Sequence, residues 1–207
     1  MQKPSIALKP LVLAALLCAG GAARADITVY TSQADFLAAV SAPGYDSYDD
    51  LVVAPYPATL DRSAGAYGYQ AYSEAGLWGA GGAGGDYWLS SENRTQPILF
   101  SGFTGGVSAF GGNFFTSDIA GQYLSGNLIL TAYDGTSLTY TLDGTTPDTF
   151  LGFVSDTALR SVTLENDGGA YWPTANNVVL AVPEPATYGM LLAGTGLLGV
   201  AARRRRG

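Results

Sequence analysis

The side chains in this sequence able to do chemistry are carboxylates and aromatic rings. There is no histidine, and the single cysteine, Cys18, sits in an apolar N-terminal run. Without these residues in the body there can be no Ser-His-Asp or Cys-His nucleophile, no His-bound zinc or haem, and no iron–sulfur cluster. Disulfides are excluded for the same reason. Any metal would be held by oxygen, which points to calcium. Acids cluster at Asp46, Asp49 and Asp50 and again at Asp156, Glu165 and Asp167. Calcium takes roughly six to eight oxygens, which loops at one edge of a sheet could gather. Asp49, Asp50 and Asp167 are the candidate ligands, although aspartate also serves turns by capping local amides. Glycoside hydrolysis needs only two carboxylates, about 5 Å or about 6.5–9.5 Å apart, so it survives the loss of histidine. The body offers Glu74, Glu92 and Glu165 as its glutamates, and most of its aspartates fall in expected turns.

Trp78, Tyr87 and Trp88 lie in a Tyr- and Gly-rich stretch, with Trp172 further on. Flat rings of this kind stack on sugars, and they are equally the ordinary packing material of sheets. Gly79-Ala-Gly81-Gly-Ala-Gly84 satisfies the spacing G-x-G-x-x-G. A dinucleotide site, however, needs a strand before the glycines and a helix after them, and the strand-like Asp86-Tyr-Trp-Leu89 follows here. The glycines are expected to form a flexible loop. Asn93-Arg94-Thr95 fits a glycosylation sequon by pattern alone.

Charge narrows the partners further. Between Asp26 and Val182 there are three basic residues, Arg62, Arg94 and Arg160, against 16 acids, a net charge of −13. Phosphate binding needs Lys and Arg in number, so nucleic acid and anionic membrane surfaces are poor partners. Strong negative charge also keeps an exported protein soluble.

The elements that must position these groups read as all-β. Ile27 to Tyr30 is a short strand. Ser32-Gln-Ala-Asp35 has the capping-box form, and Phe36, Leu37 and Val40 supply an apolar face, so one short helix is expected over 33–40, ended by Pro43-Gly44. From 45 to 97 periodicity is weak, with short strands expected near 51–53 and 67–72. The second half is clearer. Leu128–Tyr133 and Ser137–Leu142 flank an Asp-Gly turn, the signature of a hairpin. Ile98–Phe100, Val107–Phe115, Thr149–Val154, Leu159–Leu164 and Asn177–Val182 add further strands. Many short strands and 28 glycines indicate an antiparallel β-sandwich, jelly-roll-like, with one short N-terminal helix.

The two ends carry an address. Lys3 and Lys9, an apolar run from Leu11 to Gly21, and Ala23-Arg24-Ala25 have the anatomy of a signal peptide over 1–25, cut after Ala25 by signal peptidase. At the other end Pro183-Glu184-Pro185 precedes 17 residues without charge, Ala186 to Ala202, and then Arg203, Arg204, Arg205 and Arg206. A 17-residue helix is roughly 25 Å long, a marginal span of a hydrocarbon core of ~30 Å. Four arginines stay on the cytoplasmic side. The sequence therefore divides into a leader (1–25), a sandwich body (26–182) and a C-terminal segment (183–207).

These three C-terminal parts, in this order, resemble the PEP-CTERM sorting signal of Gram-negative, biofilm-forming bacteria. The resemblance implies that exosortase recognises Pro183-Glu184-Pro185 and removes the helix, leaving the protein at the cell surface or outside the cell, often with exopolysaccharide. Val107–Phe115, Phe150–Asp156, Ser161–Leu164 and Ala175–Val179 resemble the lectin-like or galactose-binding-like sandwiches of PEP-CTERM proteins, which implies a sugar-binding or calcium-stabilised module. The expected function is a non-enzymatic structural or adhesive component of the surface or matrix. The alternatives are a carbohydrate-binding module with or without calcium and a carboxylate-dependent glycosidase.

Overall fold

The structure, a computed structural model, describes residues 26–81 and 83–183. The leader with Ala23 and Ala25, Glu184 and Pro185, the apolar run and Arg203 to Arg206 lie outside the described residues. Among the described residues no helix is long and apolar enough to cross a membrane.

The chain runs β1 (Ile27–Tyr30), α1 (Gln33–Ala38), β2 (Val40–Asp46), β3 (Ala54–Tyr56), β4 (Thr59–Ala64), β5 (Tyr67–Tyr72), β6 (Leu77–Gly81) and β7 (Tyr87–Ser91). It continues through β8 (Ile98–Ser101), β9 (Ala109–Ser117), β10 (Leu128–Tyr133), β11 (Ser137–Leu142), β12 (Phe150–Ser155), β13 (Ser161–Asn166) and β14 (Trp172–Pro183). Two antiparallel sheets result. The first has the order β1-β12-β9-β14-β7-β6-β3, with β2 pairing the second half of β14; the second has the order β11-β10-β13-β8-β5-β4. The all-β antiparallel sandwich with one short helix is thus observed.

The core lies between the sheets, where Phe100, Phe110, Phe114 and Phe153 meet aliphatic residues such as Leu128, Leu130, Val162 and Leu164. The long strand β14 contributes Ala175 and then Val178 and Leu180, a switch from odd to even positions. A bulge between Asn176 and Val179 makes the switch, with Asn177 in the left-handed region at φ 49°. An extra residue in one strand shifts every later side chain to the opposite face.

The helix starts as its cap residue dictates, with the Ser32 side chain accepting from the Asp35 amide at 3.3 Å. It ends at Ala38, earlier than its apolar pattern suggests, and Val40 opens a strand that runs through Pro43-Gly44. Proline is tolerated there because the ladder to β14 is interrupted opposite Ala42 and Pro43. Gly44 is required by close approach, since a Cβ would lie 2.0 Å from the Ala64 carbonyl oxygen on β4. Phe36 packs on the outer face of the first sheet over Gly152, where a Cβ would come within 2.4 Å of its ring.

Candidate functional site

On the outer face of the first sheet, Trp78, Ala80, Trp88 and Phe115 form a small apolar cluster. The chain leaving β9 folds back over it. Tyr123 meets Phe115 edge-on at 6.3 Å and its hydroxyl donates to the Thr145 carbonyl at 2.9 Å, while the Leu124 amide donates to Thr116 O at 3.0 Å. Gly121, at φ 71°, makes the approach possible, because a Cβ there would sit 2.8 Å from that of Ala80. The Asp118 carboxylate closes the turn by accepting the amides of Ala120 at 2.8 Å and Gln122 at 2.9 Å. A rigid 118–124 excursion is the outcome.

Between this excursion and the ends of β6, β7, β9 and β14 lies a cleft of about 220 Å³. It is lined by Trp78, Trp172, Ser90, Ser91, Glu92, Ser117, Asp118, Ile119 and Gly121. Both indoles are half-buried, which leaves ring surface to the cleft. Trp172 is oriented by its Nε1, which donates to the Glu92 carbonyl at 3.2 Å. Beneath it, Ser117 and Thr174 share a hydrogen bond at 2.9 Å, and Ser90 donates to the Pro173 carbonyl at 3.2 Å. Ile119, 86% exposed, stands at the rim. No Lys or Arg lines the cleft, and its charged groups are Glu92 and Asp118. Aromatic faces beside hydroxyls and carboxylates suit a neutral, hydroxyl-rich ligand, with CH faces on the rings and OH groups on the acceptors.

Of the residues singled out as sugar-binding candidates, Trp78 is placed in this cleft, joined by Trp172. Trp88 is not: it is 8% exposed, edge-on to Phe115 at 5.2 Å, with its Nε1 buried and without a hydrogen-bond partner. Tyr87 packs against the main core. Of the glycine run, Gly79 and Gly81 lie at the end of β6, and Gly84, at φ 75°, lies in the connection into β7. With a strand following it, no helix N-terminus is available to a pyrophosphate.

The three candidate calcium ligands are not drawn together. Asp49 Oδ1 accepts the Tyr87 amide at 3.5 Å, and Asp167, in the β13–β14 connection, donates its amide to the Asn127 carbonyl at 3.3 Å. Asp50 is held by Arg62, which makes two hydrogen bonds to it at 2.7 Å. Among the described residues no group of three or more acids, His or Cys converges in a way that could hold a metal.

Arg62 organises a second polar cluster, between the sheets. Besides Asp50 it donates through Nε to Asp46 at 2.9 Å, and its guanidinium lies 5.1 Å over the Tyr48 ring. Tyr69 donates to Asp46 at 2.7 Å and shares a 2.8 Å hydrogen bond with Tyr48. The hydrogen bonds from Arg62 hold the Asp50 carboxyl below the usual carboxylate range. Burial raises both Tyr48 and Tyr69.

Ser90, Ser91 and Asp118 of the cleft, and the role of Arg62, were not singled out by residue type, while Glu92 was named only as one of the body's three glutamates. The only local signal was the polar run Ser90-Ser91-Glu92 after Tyr87-Trp88-Leu89.

With the last strand ending at Pro183, the segment after it can be placed among known proteins. Residues 181–206 carry a PEP-CTERM protein-sorting motif. The match begins inside β14 and takes in Pro183, Glu184, Pro185 and Arg203 to Arg206. The motif marks the chain as an exported substrate for exosortase that is transiently anchored in a membrane. No curated protein matches the chain. Among solved structures, an exo-beta-1,3-galactanase from Phanerochaete chrysosporium, determined with galactose, is similar at 11% identity and TM-score 0.32, over 68% of this chain and 29% of that one. The chain spans less than a third of that protein's length.

Proposed function

We propose that the exported body is a non-enzymatic adhesive component of the cell surface or extracellular matrix, and that it holds exopolysaccharide in the Trp78–Trp172 cleft. The observation that carries this reading is the pairing of two half-buried indoles with hydroxyls and carboxylates in one preorganised cleft. Stacking on an aromatic ring recognises the apolar face of a sugar, and fixed acceptors select its hydroxyl pattern. Binding is favoured over hydrolysis because the Asp118 carboxylate is engaged in closing its own turn, where it accepts two amides. A general acid would need a free proton directed at the glycosidic oxygen. The reading requires no metal.

Titration of the exported, processed protein with neutral polysaccharides, followed by tryptophan fluorescence, tests it. Quenching with saturable binding is expected, unchanged by chelator. Trp78→Ala and Trp172→Ala should each weaken binding by about five- to thirtyfold, since one stacked ring contributes on the order of 1–2 kcal/mol. Retained affinity in both variants would remove the cleft from the account, and loss of binding in chelator would favour the calcium-dependent alternative.

A further inference from the structure

We propose that, in the membrane-held precursor, the body rests on the lipid headgroups with one pole and presents the Trp78–Trp172 cleft at the opposite pole. The register of the first sheet places both ends of the body together. Ile27 pairs with Ser155, the neighbouring Val154 with Ala109, and Ala109 with Ala181. The start of β1 and the end of β14 therefore share one edge of the sheet, three strand spacings or roughly 14 Å apart.

No linker separates this pole from the sorting motif. The motif begins at residue 181, inside the strand, and Pro183 is still paired with Val40. Ser41 Oγ donates to the Pro183 carbonyl at 3.4 Å. From Pro183 to Ala186, where the apolar run begins, there are three Cα steps, which reach about 11 Å at most. The polar layer on each side of the hydrocarbon is roughly 5–8 Å deep. A tether this short holds the body against the headgroups even though its net charge of −13 opposes contact with anionic lipid.

The cleft lies at the far end of the same strand. Trp172 opens β14 and pairs with Ser117, the last residue of β9. Eleven residue steps along β14 at about 3.3 Å each put Trp172 up to about 36 Å from Pro183. Ile119, Tyr123 and Leu124, all exposed, follow β9 at this distal pole. The inference rests on the sorting motif and the strand topology, and not on what the cleft binds, so failure of saccharide binding would leave it standing.

Cys18 is the chain's one cysteine and lies outside the body, so a Cys18→Ala background leaves each variant below with a single thiol. Ile119→Cys reports on the distal pole. Ala38→Cys reports on the proximal pole from the end of α1, and Ala158→Cys from the exposed loop before β13. Each variant would be labelled with a membrane-impermeant maleimide in membranes of cells lacking exosortase, and again after detergent release. Ile119→Cys should react equally in both states, whereas Ala38→Cys and Ala158→Cys should react several-fold more slowly in membranes. A flexible Gly/Ser spacer of about 20 residues between Pro183 and Glu184 should abolish that protection. Equal slowing at Ile119, no slowing at the two proximal sites, or protection that persists with the spacer would each overturn the orientation.

Discussion

Asp46 and Asp134 are both buried and both tie one sheet to the other, yet they are satisfied by different means. Asp46, at the end of β2 in the first sheet, faces Arg62 on β4 and Tyr69 on β5 in the second. Asp134, in the β10–β11 turn of the second sheet, reaches Ser155 on β12 of the first at 2.5 Å and accepts the amide and hydroxyl of Thr136, each at 2.9 Å. One acid is neutralised by a charge, the other only by dipoles. Of the three basic residues in the body, Arg94 and Arg160 are exposed, and Arg62, its side chain 10% exposed, is placed between the sheets. At Asp134 burial raises the carboxyl, but the hydrogen bonds from Ser155 and Thr136 outweigh it, and the group is held below the usual carboxylate range. A fold short of cations can therefore bury a carboxylate if it surrounds it with hydroxyl and amide donors.

Removing the cation should break the comparison most severely. Arg62→Ala leaves Asp46 buried without its counter-charge and is expected to destabilise the body by about 3–5 kcal/mol. Asp134→Ala, which strands only neutral donors, should lose about 1–3 kcal/mol. Urea denaturation of the two variants measures both, and a larger loss for Asp134→Ala would reverse the ranking.

Dependence on pH sharpens the contrast. Asp50 and Asp134 are both held below their ordinary value of 3.8, so the stability they contribute is present above that value and is lost as pH falls below about 4. Tyr48 and Tyr69 are raised above 10.0, so theirs is present below pH 10 and lost as pH rises further. Thermal melts across pH should show both limbs in the native chain. The double variant Tyr48→Phe/Tyr69→Phe should flatten the alkaline limb and keep the acid one. The smallest effect is expected at Asp50. Its side chain is 67% exposed, so Asp50→Ala should cost no more than about 1 kcal/mol, and less in high salt.

The regions that were legible in sequence are those where local pattern and tertiary environment agree. The hairpin Leu128–Leu142 formed with the expected bounds because alternation and an Asp-Gly turn both depend on near neighbours. The strand Tyr67–Tyr72 was likewise correctly bounded. Elsewhere long-range contact prevailed. β14 begins at Trp172, five residues before the expected Asn177, because the bulge at Asn176–Val179 interrupts the alternation that a reader follows. A short strand expected near 51–53 lies instead at Ala54–Tyr56, where β6 is available to pair. Pro43-Gly44 looked like a helix stop and is part of a strand, since Gly44 is needed for contact with Ala64.

The cleft was legible only in fragments. Trp78 was visible as a ring in a glycine-rich stretch, but a tryptophan has the same local sequence signature whether it faces solvent or core. Trp88 proved to be packing material because Phe115, 27 residues away, lies against it. Glu92, Asp118 and Trp172 meet Trp78 only because four strand ends arrive at one pole.

The sequence alone determined what depends on composition and contiguity: a histidine-free acidic body, an all-β pattern, and a sorting motif whose parts follow one another along the chain. Only the tertiary structure decided which rings line the cleft, which acids meet Arg62, and which pole carries the tether. Those outcomes depend on pairings between residues distant in the chain, and strand register, not residue type, sets which side chains meet.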